Sequence, residues 1–211
     1  MTPASALTSG LDELSLTLPQ GASEKLLGYI EVLAKWNRTY NLTAIRRPLE
    51  MVTHHLLDSL AALPHLPAPE HATLVDAGSG GGVPGIPLAI ARPQWRVTLN
   101  DSSEKKAAFL RQAAIELRLE NVVVHEGRLE AWQPPIRFSI VISRAFAELS
   151  DFIAACRHLV AADGTLAAMK GAYPGAELER MPEGWRCERV VRLKVPHLNA
   201  ERHLVLCRAA A

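Results

Sequence analysis

The stretch Leu74-Val75-Asp76-Ala77-Gly78-Ser79-Gly80-Gly81-Gly82-Val83-Pro84-Gly85 is where chemistry is easiest to read in this chain. A short apolar run feeding a glycine-rich turn, with a helical pattern after it, is the layout of a nucleotide-type site at the carboxyl end of a parallel strand. Glycine turns the backbone sharply and lets a ligand approach the main chain closely. Gly80, Gly82 and Gly85 satisfy G-x-G-x-x-G, the dinucleotide fingerprint, although a lone match of that kind is weak. Pro84 and Pro87 argue against a dinucleotide, because they leave few free N–H groups where a pyrophosphate would want donors.

Asp76 lies two residues ahead of Gly78, and the resulting D-x-G-x-G resembles motif one of S-adenosylmethionine methyltransferases, whose loop accommodates an amino acid and a nucleoside. Asp101, at the end of the second strand, suits both ribose hydroxyls; the competing reading is a helix-start residue ahead of Ser103. After the third strand, Leu129 is placed to pack on an adenine ring, with Glu130 beside it as a site residue or a solvated acid. Arg144 and Lys170 follow strands four and five, which puts cations at the carboxyl edge of the sheet, and Arg202 joins them if its loop reaches that edge. Cations there point to an anionic partner, phosphate above all, against the alternative of ordinary surface charges. No Asn/Asp-Pro-Pro-Tyr/Phe follows strand four and no Pro-Cys pair follows strands four or five, so exocyclic-amine methylation and attack on pyrimidine C5 are not expected. His54, His55 and His203 invite a metal or catalytic reading, but core or surface packing is the expectation, with His54 and His55 on different sides of a helix.

The elements that must position these residues follow from periodicity. Residues 1–66 read as helical: Leu26, Leu27, Ile30, Leu33 and Ala34 share one face, as do Leu56, Leu57, Leu60 and Leu63 before Pro64 and Pro67. The stretch 64–69 reads as a linker, so an N-terminal helical extension is set at 1–68 and one compact second unit at 69–211. From Thr73 onward, strands are expected at 74–77, 97–100, 122–125, 139–143, 165–169, 188–195 and 203–207, with helices at 86–91, 103–119, 149–159 and roughly 175–181. The helix at 103–119 buries Phe109, Leu110, Ala113, Ala114 and Leu117 and takes Ser103 as its N-cap. Strands separated mostly by helices imply an α/β fold with a mainly parallel, doubly wound sheet. The last two strands, with no long helix between them, are expected to pair antiparallel at one edge of a mixed seven-stranded sheet.

Composition bounds the partners. At 211 residues the chain holds one substantial core, and 48% hydrophobic with 21% charged residues is ordinary for a soluble globular protein. No apolar run approaches the roughly 20 residues that span a bilayer, and residues 1–18 lack a signal-peptide pattern. A net charge of +1 leaves no basic field over the whole molecule, so nucleic-acid binding has to come from a local patch. Cys156, Cys187 and Cys207 form no CxxC pair, which argues for a reducing compartment, no zinc site and three buried thiols.

These motifs together resemble the RsmG (GidB) family of bacterial 16S ribosomal RNA guanine-N7 methyltransferases. The resemblance runs from about Leu26 to Cys207 and rests on Lys35-Trp36-Asn37-Arg38-Thr39-Tyr40-Asn41-Leu42-Thr43, on His55-Leu56-Leu57-Asp58-Ser59, on the glycine segment, on Ser143-Arg144-Ala145-Phe146-Ala147 and on Glu201-Arg202-His203-Leu204-Val205. It implies a Rossmann-like class I methyltransferase fold with the helical extension packed beside it. S-adenosyl-L-methionine is the implied cofactor, at Asp76, Gly78, Gly80, Val83, Asp101, Leu129, Glu130 and Arg144. Cations for RNA fall on Arg128, Lys170 and Arg202. One departure is Gly81-Gly82-Val83, where relatives often carry larger side chains, which implies a slightly looser loop. The resemblance further implies a cytoplasmic, monomeric enzyme acting on 16S ribosomal RNA or the small subunit, with no metal and no membrane partner. The readings kept beside it are another RNA or small-molecule acceptor, a non-enzymatic ribosome-assembly factor and an NAD oxidoreductase.

Overall fold

Seven strands, β1 (Thr73–Ala77), β2 (Arg96–Asp101), β3 (Val122–Glu126), β4 (Phe138–Ser143), β5 (Val160–Lys170), β6 (Trp185–Arg192) and β7 (His203–Ala209), form one sheet in the order β3-β2-β1-β4-β5-β7-β6. The computed structural model describes every residue except Ala68, Ala145 and Ala211. Parts of the linker, of the boundary at 68 and of the Ser143-to-Ala147 motif therefore lie outside the described residues.

Strands β1 to β5 run parallel, and β7 runs antiparallel to both β5 and β6. The mixed sheet expected from sequence is there, with β7 inserted between β5 and β6. Chain order reverses between β1 and β4, the switch point outside which an open α/β sheet binds ligands. Leu74, Val75, Ile140, Val141 and Ile142 are fully buried, as central parallel strands covered on both faces require.

Helices α5 (Gly85–Ala91), α6 (Glu104–Glu116), α7 (Leu149–Cys156) and α8 (Gly175–Leu178) follow the strands. Helix α6 buries Phe109, Leu110 and Ala113. Ser103 holds its N-cap position but makes no side-chain cap bond; the Asp101 carboxylate accepts the Ser103 N–H instead. Several boundaries differ from the sequence reading. Helix α7 ends at Cys156, and β5 begins at Val160 rather than 165, because Asp163 and Gly164 stay in the strand where Gly164 passes close to the Phe138 carbonyl. Strand β6 covers 185–192, since Leu193 and Val195 bury themselves from a loop. Helix α8 has only four residues.

Before the sheet come α1 (Pro3–Glu13), α2 (Ala22–Tyr40), α3 (Pro48–Met51), a π-helical turn at Val52–Leu57, α4 (Asp58–Ala62) and a 3₁₀ turn at Leu63–His65. A capping box between Thr2 and Ser5 starts α1. Leu56, Leu57, Leu60 and Leu63 are all buried as expected, although the helix carrying them changes pitch. Leu7, Leu26, Leu33 and Leu60 share one apolar cluster with Leu74, Leu99, Phe109 and Ile142, so the extension shares its core with one face of the sheet. Val75, Val141, Phe152 and Leu166 pack on the opposite face. Cys156 and Cys207 are buried and burial pushes both thiols up to about 12, whereas Cys187, expected inside, is only half-buried.

Candidate functional site

After β1 the chain turns through Gly78, Gly80 and Gly82, all at positive φ, into α5. Two of the glycines sit in crowded surroundings. At Gly82, with φ of 88°, a Cβ would meet Ile86 Cδ1 at 2.4 Å. At Gly85 it would meet Leu99 Cδ2 at 2.3 Å and Asp76 Oδ2 at 2.8 Å. Asp76 lies fully buried under the loop, its Oδ2 accepting the Gly85 N–H at 2.8 Å. Burial pushes its carboxyl up to about 7, against the opposing pull of the Gly85 and Ser79 hydrogen bonds. The Ile86 and Leu88 N–H groups donate to the Gly82 and Pro84 carbonyls, and Pro87 has none. The first turn of α5 therefore has its N–H groups engaged internally and lacks the donors a pyrophosphate uses. Gly81 is held from outside the loop: the Tyr29 hydroxyl, on α2, donates to its carbonyl at 2.5 Å. Burial raises the Tyr29 phenol, which stays a protonated donor. That bond counters the looseness expected from Gly81-Gly82.

Asp101 ends β2 and takes the helix-start role read for it, and it also braces the glycine loop. Oδ1 accepts from Ser103 N at 2.9 Å, which opens α6, and Oδ2 accepts from Gly80 N at 3.0 Å, which braces the glycine loop. Each carboxylate oxygen takes more than one hydrogen bond, so capacity for ribose hydroxyls remains. Beside it, Asn100 Nδ2 donates to the Gly127 carbonyl at 2.9 Å and fixes the turn after β3. A hollow of about 330 Å³ opens between these strand ends, lined by Gly78, Asp101, Leu129 and Glu130 among others. Leu129 is buried and Glu130 exposed.

On the other side of the switch point, Arg144 follows β4, Lys170 ends β5 and Arg202 precedes β7, at three neighbouring sheet positions. All three line one hollow of about 410 Å³. Each is engaged. Asp58 Oδ2 accepts from Arg144 Nη1 at 2.9 Å, and Asp58 Oδ1 accepts from Arg202 Nε at 3.0 Å. Lys170 Nζ donates to Glu177 at 2.7 Å and to the Ala147 and Phe146 carbonyls, and the same Glu177 oxygen accepts the Leu149 N–H at 2.7 Å.

A third hollow of about 240 Å³ lies against the glycine loop and joins the other two. It shares Gly78 and Lys106 with the first, and Thr43, His55 and Arg144 with the second. One groove thus runs along the carboxyl edge of the sheet, with Arg144 at its joint. Gly78, Gly80, Val83, Asp101, Leu129, Glu130 and Arg144 all line it, and Asp76 supports it from beneath. Arg128 does not join Lys170 and Arg202; it is exposed at the Asp101 end, across the sheet from them.

Sequence reasoning missed Tyr29, Thr43, His55, Lys106 and Glu177 as parts of this site. Thr43 and His55 lie in segments that carry the family resemblance, and for His55 the expectation was packing. It is indeed buried, yet it lines two of the hollows, with Nε2 at 3.0 Å from the Thr43 hydroxyl. Burial first, then the Arg144 charge, pushes His55 down to about 4, so the ring is neutral at pH 7. Among the described residues no cluster of His, Cys, Asp and Glu could hold a metal ion, and no helix is long and apolar enough to cross a membrane.

Comparison with known proteins agrees with the fold. Solved structures share the fold: TrmN from Thermus thermophilus superposes with a TM-score of 0.56 at 17% identity, covering 82% of this chain and 53% of that one. A SAM-dependent methyltransferase from Aquifex aeolicus superposes at 0.54 with 19% identity, covering 74% of this chain and 91% of that one. The Ribosomal RNA small subunit methyltransferase G of Burkholderia cenocepacia (strain HI2424) is 51% identical over 202 residues, 94% of this chain and 89% of the relative. Residues 22–205 match the model of one family, from the middle of the helical extension to the last strand, so the chain belongs to GidB, the rRNA small subunit methyltransferase G family.

Proposed function

We propose that this protein transfers a methyl group from S-adenosyl-L-methionine to N7 of a guanine in 16S ribosomal RNA, acting as a monomer on the RNA or the small subunit. The observation that carries the reading is the continuous groove: a nucleoside-sized end at Asp101 and Leu129, a glycine loop whose following helix has its first N–H groups engaged within the protein, and a cationic end at Arg144 and Arg202. Family membership supports the acceptor class. The helix-start geometry of α5 speaks against a redox dinucleotide.

The methyl donor supplies an electrophilic methyl on a sulfonium. For it, Asp101 would take the ribose hydroxyls, Leu129 would pack on the adenine, and the main chain at Gly78 and Gly80 would face the amino-acid portion, with Arg144 beyond it. Guanine N7 has an in-plane lone pair and no proton, so no general base is required there. That fits a neutral His55 and an Asp58 committed to two arginines. The protein's contribution is then alignment, which is worth up to about 7–11 kcal/mol in favourable cases.

The methylated ring becomes cationic, so unscreened positive charge beside it would oppose the reaction. Arg144, Lys170 and Arg202 share the carboxylates of the buried Asp58 and the half-buried Glu177, which leaves a net charge of +1 from three cations and two anions. Arg202 and the outlying Arg128 suit backbone phosphates. Lys170, expected to do the same, has its ammonium engaged by Glu177 and two carbonyls, and we assign it to holding the loop after β4. Because N7 lies in a groove too narrow to enter in paired RNA, the target guanine is unpaired or extruded.

Tritium from labelled donor, offered to small-subunit RNA free and assembled, is expected to appear as N7-methylguanine at one position when the RNA is mapped by mass spectrometry. Absence of label, or label on an exocyclic amine or a pyrimidine carbon, rejects the reading.

A further inference from the structure

Asp58 opens α4, where the π-helical turn gives way to α-helix, and its side chain is only 1% exposed. Two guanidiniums grip it from opposite banks of the acceptor hollow. Arg144, from the end of β4, reaches Oδ2 and also donates to the His54 carbonyl at 2.8 Å. Arg202, from the start of β7, reaches Oδ1 through Nε and turns Nη1 onto the Glu201 carbonyl at 2.8 Å. Strand β5 lies between those two strands, so one carboxylate ties together side chains two sheet positions apart. Both arginines remain partly exposed, at 29% and 24%, while the anion between them is sealed. Their remaining N–H groups are thereby oriented at the groove by a partner that solvent does not reach.

We infer that Asp58 is a positioning residue for methyl transfer. It aims Arg144 at the joint of the groove and Arg202 at its acceptor end, and it prevents either from swinging out to hold RNA phosphate in an unproductive pose. The inference rests on the reading under Proposed function. Asp58 moves no proton, since both its oxygens accept from guanidiniums and N7 has no proton to give. Its effect runs through the arginines alone, so it should appear in turnover and not in affinity.

The variant Asp58→Asn keeps the volume and removes the charge; its amide oxygen can hold one arginine while its NH₂ repels the other. With the full chain and small-subunit RNA as substrate, kcat is expected to fall about 10- to 100-fold, in line with the cost of small misalignments. RNA Kd should stay unchanged or tighten up to about threefold, with a salt slope steeper by up to about one, because a released arginine adds a phosphate contact. S-adenosylhomocysteine affinity, measured by calorimetry, should stay within about threefold of wild type and report an intact donor site. A joint loss of kcat, RNA affinity and S-adenosylhomocysteine affinity would mark a merely structural carboxylate and overturn the proposal; so would an unchanged kcat.

If the Asn variant does not fold, Arg202→Lys carries the test, because a point charge lacks the fork that holds Oδ1 and the Glu201 carbonyl together. A kcat at least about fivefold lower at unchanged RNA Kd supports Asp58 acting through Arg202, and wild-type turnover overturns it. Wild-type activity on RNA is measured first: its absence sinks the functional reading itself, whereas a failure confined to the variants sinks only the role of Asp58.

Discussion

On the β1–β2–β3 side of the groove, the surface offered to a ligand is largely main chain. Glycines at positive φ, a buried Asp76 that consumes one N–H and an Asp101 that braces another shape most of the loop within about thirty residues of sequence, with Tyr29 from α2 as a tether from outside that span. On the β4–β5–β7 side the surface is side-chain charge, and every cation is held by a carboxylate from elsewhere: Asp58 in the helical extension, Glu177 in α8. The first side suits a ligand recognised by shape and by ribose. The second suits an anion, with its field trimmed to a single net charge. On the proposed function, that difference would let one sheet edge receive a small sulfonium nucleoside and a polyanion side by side.

If the two sides are independent, damage to one should spare the other. The largest expected effect is on the charged side. Glu177→Ala strips the partner from a Lys170 that is 9% exposed and is expected to cost about 3 kcal/mol of stability, because it strands a buried charge. Chemical denaturation checks this, and S-adenosylhomocysteine affinity of the folded fraction should hold. The exposed pair Arg111–Glu126 is the control, worth under about 1 kcal/mol. Equal losses from the two pairs would erase the distinction between buried and surface charge.

His55 lies at the joint and tests whether the sides share a proton balance. Its pKa is pushed down to about 4, so it binds protons more readily unfolded, and stability is lost as pH falls from 6.5 towards 4. Asp76, pushed up to about 7, binds protons more readily folded, and stability is lost as pH rises from 3.8 towards 7. The two slopes oppose each other, each worth a few kcal/mol. His55→Asn should therefore leave the Asp76 slope unopposed, and the melting temperature of the variant, relative to wild type, should fall as pH rises across that window. Parallel profiles for variant and wild type would show that His55 is not held neutral.

The smallest expected effect is on the main-chain side. Tyr29→Phe removes one buried hydrogen bond to the Gly81 carbonyl, for about 1–2 kcal/mol of stability and a several-fold loss of S-adenosylhomocysteine affinity, with RNA affinity unchanged. Calorimetry on both ligands reads the split; an equal loss of RNA affinity would show that the two sides are coupled through α2.

The same division decides how much was legible in advance. D-x-G-x-G behind an apolar run specifies a glycine turn after a strand, so Asp76, Gly78 and Gly80 could be placed on one loop from spacing, whereas Val83 came from the family resemblance, and strand-and-helix alternation was enough for the sheet. The ends of β5, β6 and α7 were misplaced because Asp163 and Gly164 tolerate a strand that their composition does not advertise, and because Leu193 and Val195 are apolar without being paired. Arg128 and Lys170 looked equivalent as cations. Topology put one at the rim of the nucleoside end and sealed the other against Glu177. Local sequence determines what a residue can do with near neighbours through backbone geometry. Which charges meet across 86 residues from Asp58 to Arg144, or 144 to Arg202, depends on how the helical extension docks on the sheet, and burial of the shared carboxylate, which no local pattern encodes, decides whether those cations are free or held.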